Sequence, residues 1–180
     1  MLCYRSRMDE PHYGDPPHHR LYVSILGGSR CSARQYQLAQ ETGRLLAELG
    51  AVVVCGGLGG VMEAAARGAH DGGGVCLGVL PGYDRAPANP YVDYVITTGM
   101  GHGRNVIVAA NGDAVIAIGG EYGTLSEIGL AGKIGRPVIV LDGWRLTRDE
   151  GAPGLWYAST PEEAIALLHQ ALGLTPSLPE

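Results

Sequence analysis

The stretch DAVIAIGGEYGTLSE, residues 113–127, decides the fold. Its apolar run, Ala114 to Ile118, has the length of a buried strand and stops at Gly119-Gly120. Gly123 and Thr124 follow, and Glu127 comes three residues after Thr124. This is the pattern of a strand, a glycine-rich turn and the first turn of a helix. Glycine lets the turn take positive φ and lets a ligand approach the backbone closely. The helix beyond presents unpaired N–H groups and the positive end of its dipole. Together these make an anion site, most often one for phosphate. Glu127 then stands about one helical turn from the bound phosphate. Thr124 to Glu127 also has the T-x-x-E spacing of a capping box, in which the glutamate accepts from the threonine N–H. Both roles for Glu127 are open in the sequence. Glu121 lies in the turn itself, where a carboxylate would repel phosphate, so its side chain is expected to point away.

On either side of this unit, strands and helices alternate. LYVSILGG ends at Gly27-Gly28 and is followed by the helical segment SARQYQLAQETGRLLAELG, which stops at Gly50. AVVVCGG leads into the helix VMEAAARGAH, and VCLGVLP meets Pro81. A loop with three prolines, residues 81–91, precedes the short strand VDYVITT. GRNVIVAANG reads as a helix entered after Gly103 and ended at Gly112. After the central unit come the strand PVIVLDG and the helix PEEAIALLHQALG. Thr160 is its expected N-cap, with Pro161 at the first helical position and a capping box to Glu163. Near-continuous apolar strands alternating with helices imply an α/β, three-layer Rossmann-like fold: a mostly parallel central sheet flanked by helices. In such sheets ligands bind beyond the carboxyl ends of the strands, where all the glycine-rich turns fall. Residues 1–20, rich in proline and charge, read as a flexible N-terminal arm; residues 21–175 read as a single nucleotide- or phosphate-binding domain.

Composition narrows the partners. A net charge of −5 argues against nucleic acid. Lys133 is the only lysine among 13 basic residues, so clustered lysine chemistry is excluded. Cys3, Cys31, Cys55 and Cys76 form no C-x-x-C pair and imply no metal site. Cys55 and Cys76 fall in apolar strand runs, where cysteine behaves as a small hydrophobe. His12, His18 and His19 read as part of a solvated tail. No apolar run is long enough for a membrane span, and the first 20 residues lack a signal peptide's apolar stretch. Reduced thiols in a cytoplasmic protein are expected.

Four turns are candidates for one cleft. In the first, Gly27, Gly28 and Ser29 precede a helix that Ser29 is placed to cap. The second holds Gly56, Gly57, Gly59 and Gly60 between strand and helix. It does not fit the dinucleotide fingerprint, because Met62 stands where the last glycine belongs and no acidic residue follows at the ribose spacing. The G-x-x-x-x-G-K-[ST] phosphate loop is absent as well. In the third, Gly101 and Gly103 bring in Arg104, whose guanidinium suits a phosphate or a developing anion. His102 beside it is a candidate proton donor. The fourth is the turn at Gly119.

GGLGGVM, GHGRN and GGEYGTLSE, in that order and on those elements, resemble the Rossmann-like superfamily historically labelled lysine decarboxylase-like. It includes the LOG cytokinin-activating phosphoribohydrolases and the molybdenum cofactor carrier proteins. The resemblance covers about residues 21–172. A decarboxylase using pyridoxal needs a Schiff-base lysine, and Lys133 has no supporting motif. LOG enzymes carry P-G-G-x-G-T-x-x-E and an Arg-Lys pair. The resemblance implies that Gly119, Gly120, Gly123 and Thr124 hold a phosphate and that Arg104 and Glu127 form the catalytic pair if the protein is an enzyme. Three departures stand out: Ile118 in place of the proline, Asn105 in place of the lysine after Arg104, and Val61 and Glu63 in the second turn. The form GMGHGRN followed by IGGEYGTLSEIGLAGKIGRPV is similar to the carrier branch. The resemblance therefore implies a carrier for a phosphorylated pterin or nucleotide-like ligand, with no cofactor required for turnover and with molybdenum cofactor or a nucleoside monophosphate as cargo. The alternative is a phosphoribohydrolase that cleaves the N-glycosidic bond of a nucleoside 5′-monophosphate. Gly129, Ala131 and Gly132 on the helix after Gly123, together with the resemblance, imply a homodimer or homotetramer.

Overall fold

The computed structural model describes residues 20–147 and 154–174. Seven strands form one sheet: β1 (Tyr22–Gly27), β2 (Val52–Cys55), β3 (Val75–Leu80), β4 (Tyr94–Thr97), β5 (Ala114–Ile118), β6 (Val138–Leu141) and β7 (Leu155–Ala158). The order is β4-β3-β2-β1-β5-β6-β7, and every neighbouring pair is parallel. Among the described residues five helices connect or follow them: α1 (Ala33–Glu48), α2 (Val61–Asp71), α3 (Asn105–Asn111), α4 (Tyr122–Lys133) and α5 (Pro161–Leu172). The expected fold class is the one observed.

The strand composition explains the layers. Every residue of β5 is buried. Ala114, Ile116 and Ile118 face one apolar cluster, with α1, α2 and α5 packed on it. Val115 and Ala117 face the other, closed by Val108 and Ala109 of α3 and Ile128 and Ala131 of α4. A strand buried on both faces has no reason to alternate with polar residues, which is why the run reads as continuously apolar. Cys55 and Cys76 lie fully buried on β2 and β3, as their sequence context implies. The chain steps outward from β1 to β2, β3 and β4, then returns to the other side of β1 as β5. That reversal opens a crevice between the carboxyl ends of β1 and β5.

Several boundaries differ from the sequence reading. Ser32, not Ser29, caps α1: its hydroxyl accepts from Gln35 N–H at 3.2 Å, and Ser32 N–H donates to the Gln35 side chain at 3.1 Å. Ser29 is thereby left to the loop above the sheet. The short strand β7 went unread, because its four residues border an unpatterned stretch and carry no alternation. Residues 101–104 form a 3-10 turn leading into α3. Thr160 caps α5 by accepting from Glu163 N–H at 3.2 Å, while the Glu163 carboxylate accepts from Ser159 N–H at 2.7 Å, one residue earlier than the box requires. The arm read over residues 1–20 lies outside the described residues apart from Arg20.

Helices α1 and α2 approach closely because glycines sit at their crossing. A Cβ on Gly68 would run into the Gln40 carbonyl, and one on Gly43 into that of Ala65. Neither backbone can yield without moving a helix. Gly68→Ala should therefore destabilise the protein by about 1–3 kcal/mol despite alanine's better helix propensity. Chemical denaturation checks this; a neutral or stabilising substitution would contradict the packing.

Candidate functional site

A cleft of about 270 Å³ opens above the carboxyl ends of β1 and β5. Its floor is made by Ile25, Leu26 and Gly27 at the end of β1. Gly28, Ser29 and Arg30 wall one side, Gly56, Leu58 and Met62 a second, and His102, Arg104 and Asn105 a third. Glu121, Gly123, Thr124 and Glu127 close it from α4. The turns expected to share one cleft do converge.

At its base lies an ion pair. Arg104 Nη1 stands 3.5 Å from Glu127 Oε1, and both side chains are more than nine-tenths buried. The same nitrogen donates to Asn105 Oδ1 at 2.6 Å. Arg104 Nε is buried and has no partner among the described residues. The residue that makes room is Gly56. A Cβ there would fall 2.5 Å from Arg104 Nη2 and 2.6 Å from Met62 Sδ, so a larger residue would displace the guanidinium.

The pair is imperfectly compensated. Burial pushes the Glu127 carboxyl up to about 7, and Arg104 only partly opposes the shift. Burial likewise lowers the Arg104 guanidinium from its ordinary value, against the pull of Glu127. A 3.5 Å contact with one nitrogen repays less desolvation than a bidentate pair would. The result is a carboxyl that changes protonation near neutral pH inside a cleft, the usual condition of a general acid or base.

Glu127 is not a helix cap. Helix α4 starts at Tyr122 with Glu121 as N-cap, so Thr124 is already inside the first turn. Glu127 sits one turn further on, and its side chain turns to Arg104 instead. Among the described residues no side chain caps α4. Leu125 N–H is the first to bond within the helix, to Glu121 O at 3.0 Å, which leaves the N–H groups of residues 122–124 for an external acceptor. Gly120, at φ 85°, turns the chain into this helix, and a Cβ on it would collide with the Thr124 hydroxyl.

Among the expected site residues, Gly27, Gly28, Ser29, Gly56, Arg104, Asn105, Gly123, Thr124 and Glu127 line the cleft. Gly57, Gly59, Gly101, Gly119 and Gly120 do not. They build the turns behind it: Gly101 N–H donates to Pro81 O at 2.9 Å and Gly119 N–H to Leu141 O at 3.3 Å, so those donors are spent on the scaffold. His102 lines the cleft. Sequence reasoning passed over Arg30 and sent Glu121 outward; both are exposed, and both line the mouth. The signal for Glu121 was in the count. Read back from Thr124, the pattern G-G-x-G-T puts its second glycine on Glu121 and its proline on Gly119, not on Ile118.

Comparison with known proteins places the chain. Residues 20–165 match the model of the SLOG cluster4 family, and the chain belongs to that family. An uncharacterized protein of Archaeoglobus fulgidus is 40 % identical over 151 residues, 81 % of this chain and 92 % of that one. A probable cytokinin riboside 5′-monophosphate phosphoribohydrolase of Oryza sativa is 36 % identical over 106 residues; the match spans 57 % of this chain and 43 % of the rice protein. Among solved structures, the molybdenum cofactor binding protein of Rippkaea orientalis superimposes with TM-score 0.79 at 34 % identity, over 84 % of this chain and 97 % of that one. The molybdenum cofactor carrier protein of Chlamydomonas reinhardtii gives 0.77 at 30 % identity, over 86 % and 99 %. The resemblance drawn from the motifs and its carrier-like branch are thus shown.

The raised Glu127 carboxyl has a consequence for stability. A folded value of about 7 against an ordinary 4.5 means that the folded state holds this proton more tightly than the unfolded state does. The contribution is full below the unfolded value and is lost as pH rises towards 7. Glu127→Gln cannot lose it. Relative to wild type, the variant should gain about 2–3 kcal/mol between pH 5 and pH 8, whatever fixed cost comes from leaving Arg104 unpaired. A stability difference between variant and wild type that is the same at pH 5 and pH 8 would refute the assignment.

Proposed function

We propose that the cleft binds a phosphorylated pterin or nucleotide-like small molecule and that the protein acts as a molybdenum cofactor carrier-like protein. The observation that carries this reading is the buried Arg104, whose Nε–H has no partner among the described residues and lies beside a helix N-terminus that none of them caps. A cation with a spare donor and a row of free backbone N–H groups suit one phosphate. The cargo is a substrate of binding: phosphate at α4, with the ring system along Leu58 and Met62. Likeness to the molybdenum cofactor binding protein and the molybdenum cofactor carrier protein supports the choice of cargo. No required cofactor or metal enters this reading.

One observation favours the alternative, a phosphoribohydrolase. Glu127 titrates near 7, which suits activation of water or protonation of a leaving base, and Arg104 beside it suits a developing negative charge. The rice relative carries that activity in its name. The two readings separate in one experiment. Purified protein is incubated with AMP, N6-prenylated AMP and a phosphorylated pterin, with base release and thermal unfolding as readouts. A carrier shows a raised Tm with the pterin and no free base. Base release that vanishes in Glu127→Gln makes it a phosphoribohydrolase. A Tm unmoved by every ligand rejects the phosphate site.

The proposal includes self-association through α4. Ala131 is taken up by the core, but Gly129 and Gly132 face open space, and Tyr122 at the start of the helix and Ile134 at its C-cap are exposed. Sedimentation at micromolar concentration should give a dimer or tetramer; a monomer would overturn this part.

A further inference from the structure

Two carboxylates line the cleft, and they are placed differently. Glu127 lies at the base and is held by Arg104. Glu121 lies at the mouth, exposed, and no hydrogen bond or ion pair among the described residues engages its carboxylate. Its backbone, at φ −106° and ψ −157°, makes it the N-cap of α4. An N-cap side chain ordinarily accepts from the second or third N–H of its helix, which here are those of Gly123 and Thr124. The Glu121 side chain does not. The anion site therefore keeps its donors and gains a fixed negative charge at its rim.

The charges along the wall point the same way. Arg30 and Arg104 supply two positive charges, and Glu121 and Glu127 supply two negative ones once Glu127 is ionised. A site for a doubly charged phosphomonoester is normally net positive. This one is near neutral, and the helix N-terminus adds only about half a charge. A phosphodiester carries a single negative charge, whereas a monoester carries nearly two at neutral pH. The second charge of a monoester would meet Glu121, whose charge offsets that of Arg30 at the mouth.

We propose that Glu121 sets the charge preference of the site, so that it selects a phosphodiester, with substituents on both sides of the phosphorus, over a phosphomonoester. This rests on the reading that α4 and Arg104 take a phosphate. The ligand class is then a nucleotide-conjugated or otherwise esterified form of the cargo. Its second substituent leaves through the open mouth past Arg30 and Glu121.

The test uses AMP and its 5′-phosphate methyl ester, which share base and sugar and differ by one charge. Affinities at pH 8 are measured by calorimetry for the full chain and for Glu121→Gln and Glu121→Asp. Wild type should bind the ester more tightly than AMP. Glu121→Gln should shift the AMP-to-ester affinity ratio towards AMP by about three- to tenfold, the size of one charge–charge repulsion across a hydrated mouth. Glu121→Asp, which keeps the charge, should retain the wild-type ratio. A Gln variant whose ratio stays within twofold of wild type, while both probes still bind, overturns the inference and leaves the phosphate site standing. Failure of both probes to bind any of the three proteins overturns the phosphate reading and the inference with it.

Discussion

The structure of the site depends on one buried contact, Arg104 to Glu127 at 3.5 Å. Two charged groups taken out of water need each other, and a single long contact does not restore what hydration supplied. The remainder shows in two places. Glu127 holds its proton to about pH 7, and Arg104 keeps a donor with no partner among the described residues. A fold seeking stability alone would do better with an apolar pair of the same volume. An incompletely satisfied ion pair at the bottom of a cleft is what a binding or reacting centre looks like, because a ligand can supply what is missing.

The surrounding architecture serves to hold that pair. The reversal of strand order around β1 leaves a gap between β1 and β5. Arg104 reaches it from the 3-10 turn before α3, and Glu127 reaches it from the second turn of α4. Gly56 leaves the space the guanidinium fills. The turn at Gly119 and Gly120 sets the direction in which α4 leaves the sheet. A sheet buried on both faces keeps these parts in place, which loops alone would not.

How much of this could be read from the chain follows from which forces are local. The strand Ala114–Ile118 was legible to the residue, because burial on both faces demands an unbroken apolar run. The convergence of the turns was legible too, since parallel topology puts every strand's carboxyl end on one edge. The role of Glu127 was not. T-x-x-E fits a cap and a buried partner equally well, and only the helix start at Tyr122, with Arg104 lying opposite, decides between them. Ser29 was read as the cap of α1 where Ser32 is, and Gln35 three residues after Ser32 was the overlooked sign. Glu121 was expected to point outward because a carboxylate repels phosphate; it is exposed, in keeping with that argument, and it also lines the cleft, which the argument did not foresee. The same repulsion, once Glu121 is found at the mouth, becomes a reason for selectivity.

The central claim is that the spare donor on Arg104 awaits a phosphate. The most direct measurement is the ¹H–¹⁵N resonance of the Arg104 side-chain Nε–H, assigned by its loss in Arg104→Lys, followed during titration with a phosphorylated ligand that raises the Tm. A bound phosphate engaging this donor predicts a large downfield proton shift that saturates with the thermal effect. A resonance that stays in place while the amides of Gly123 and Thr124 move would put the phosphate on α4 alone and contradict the account of Arg104.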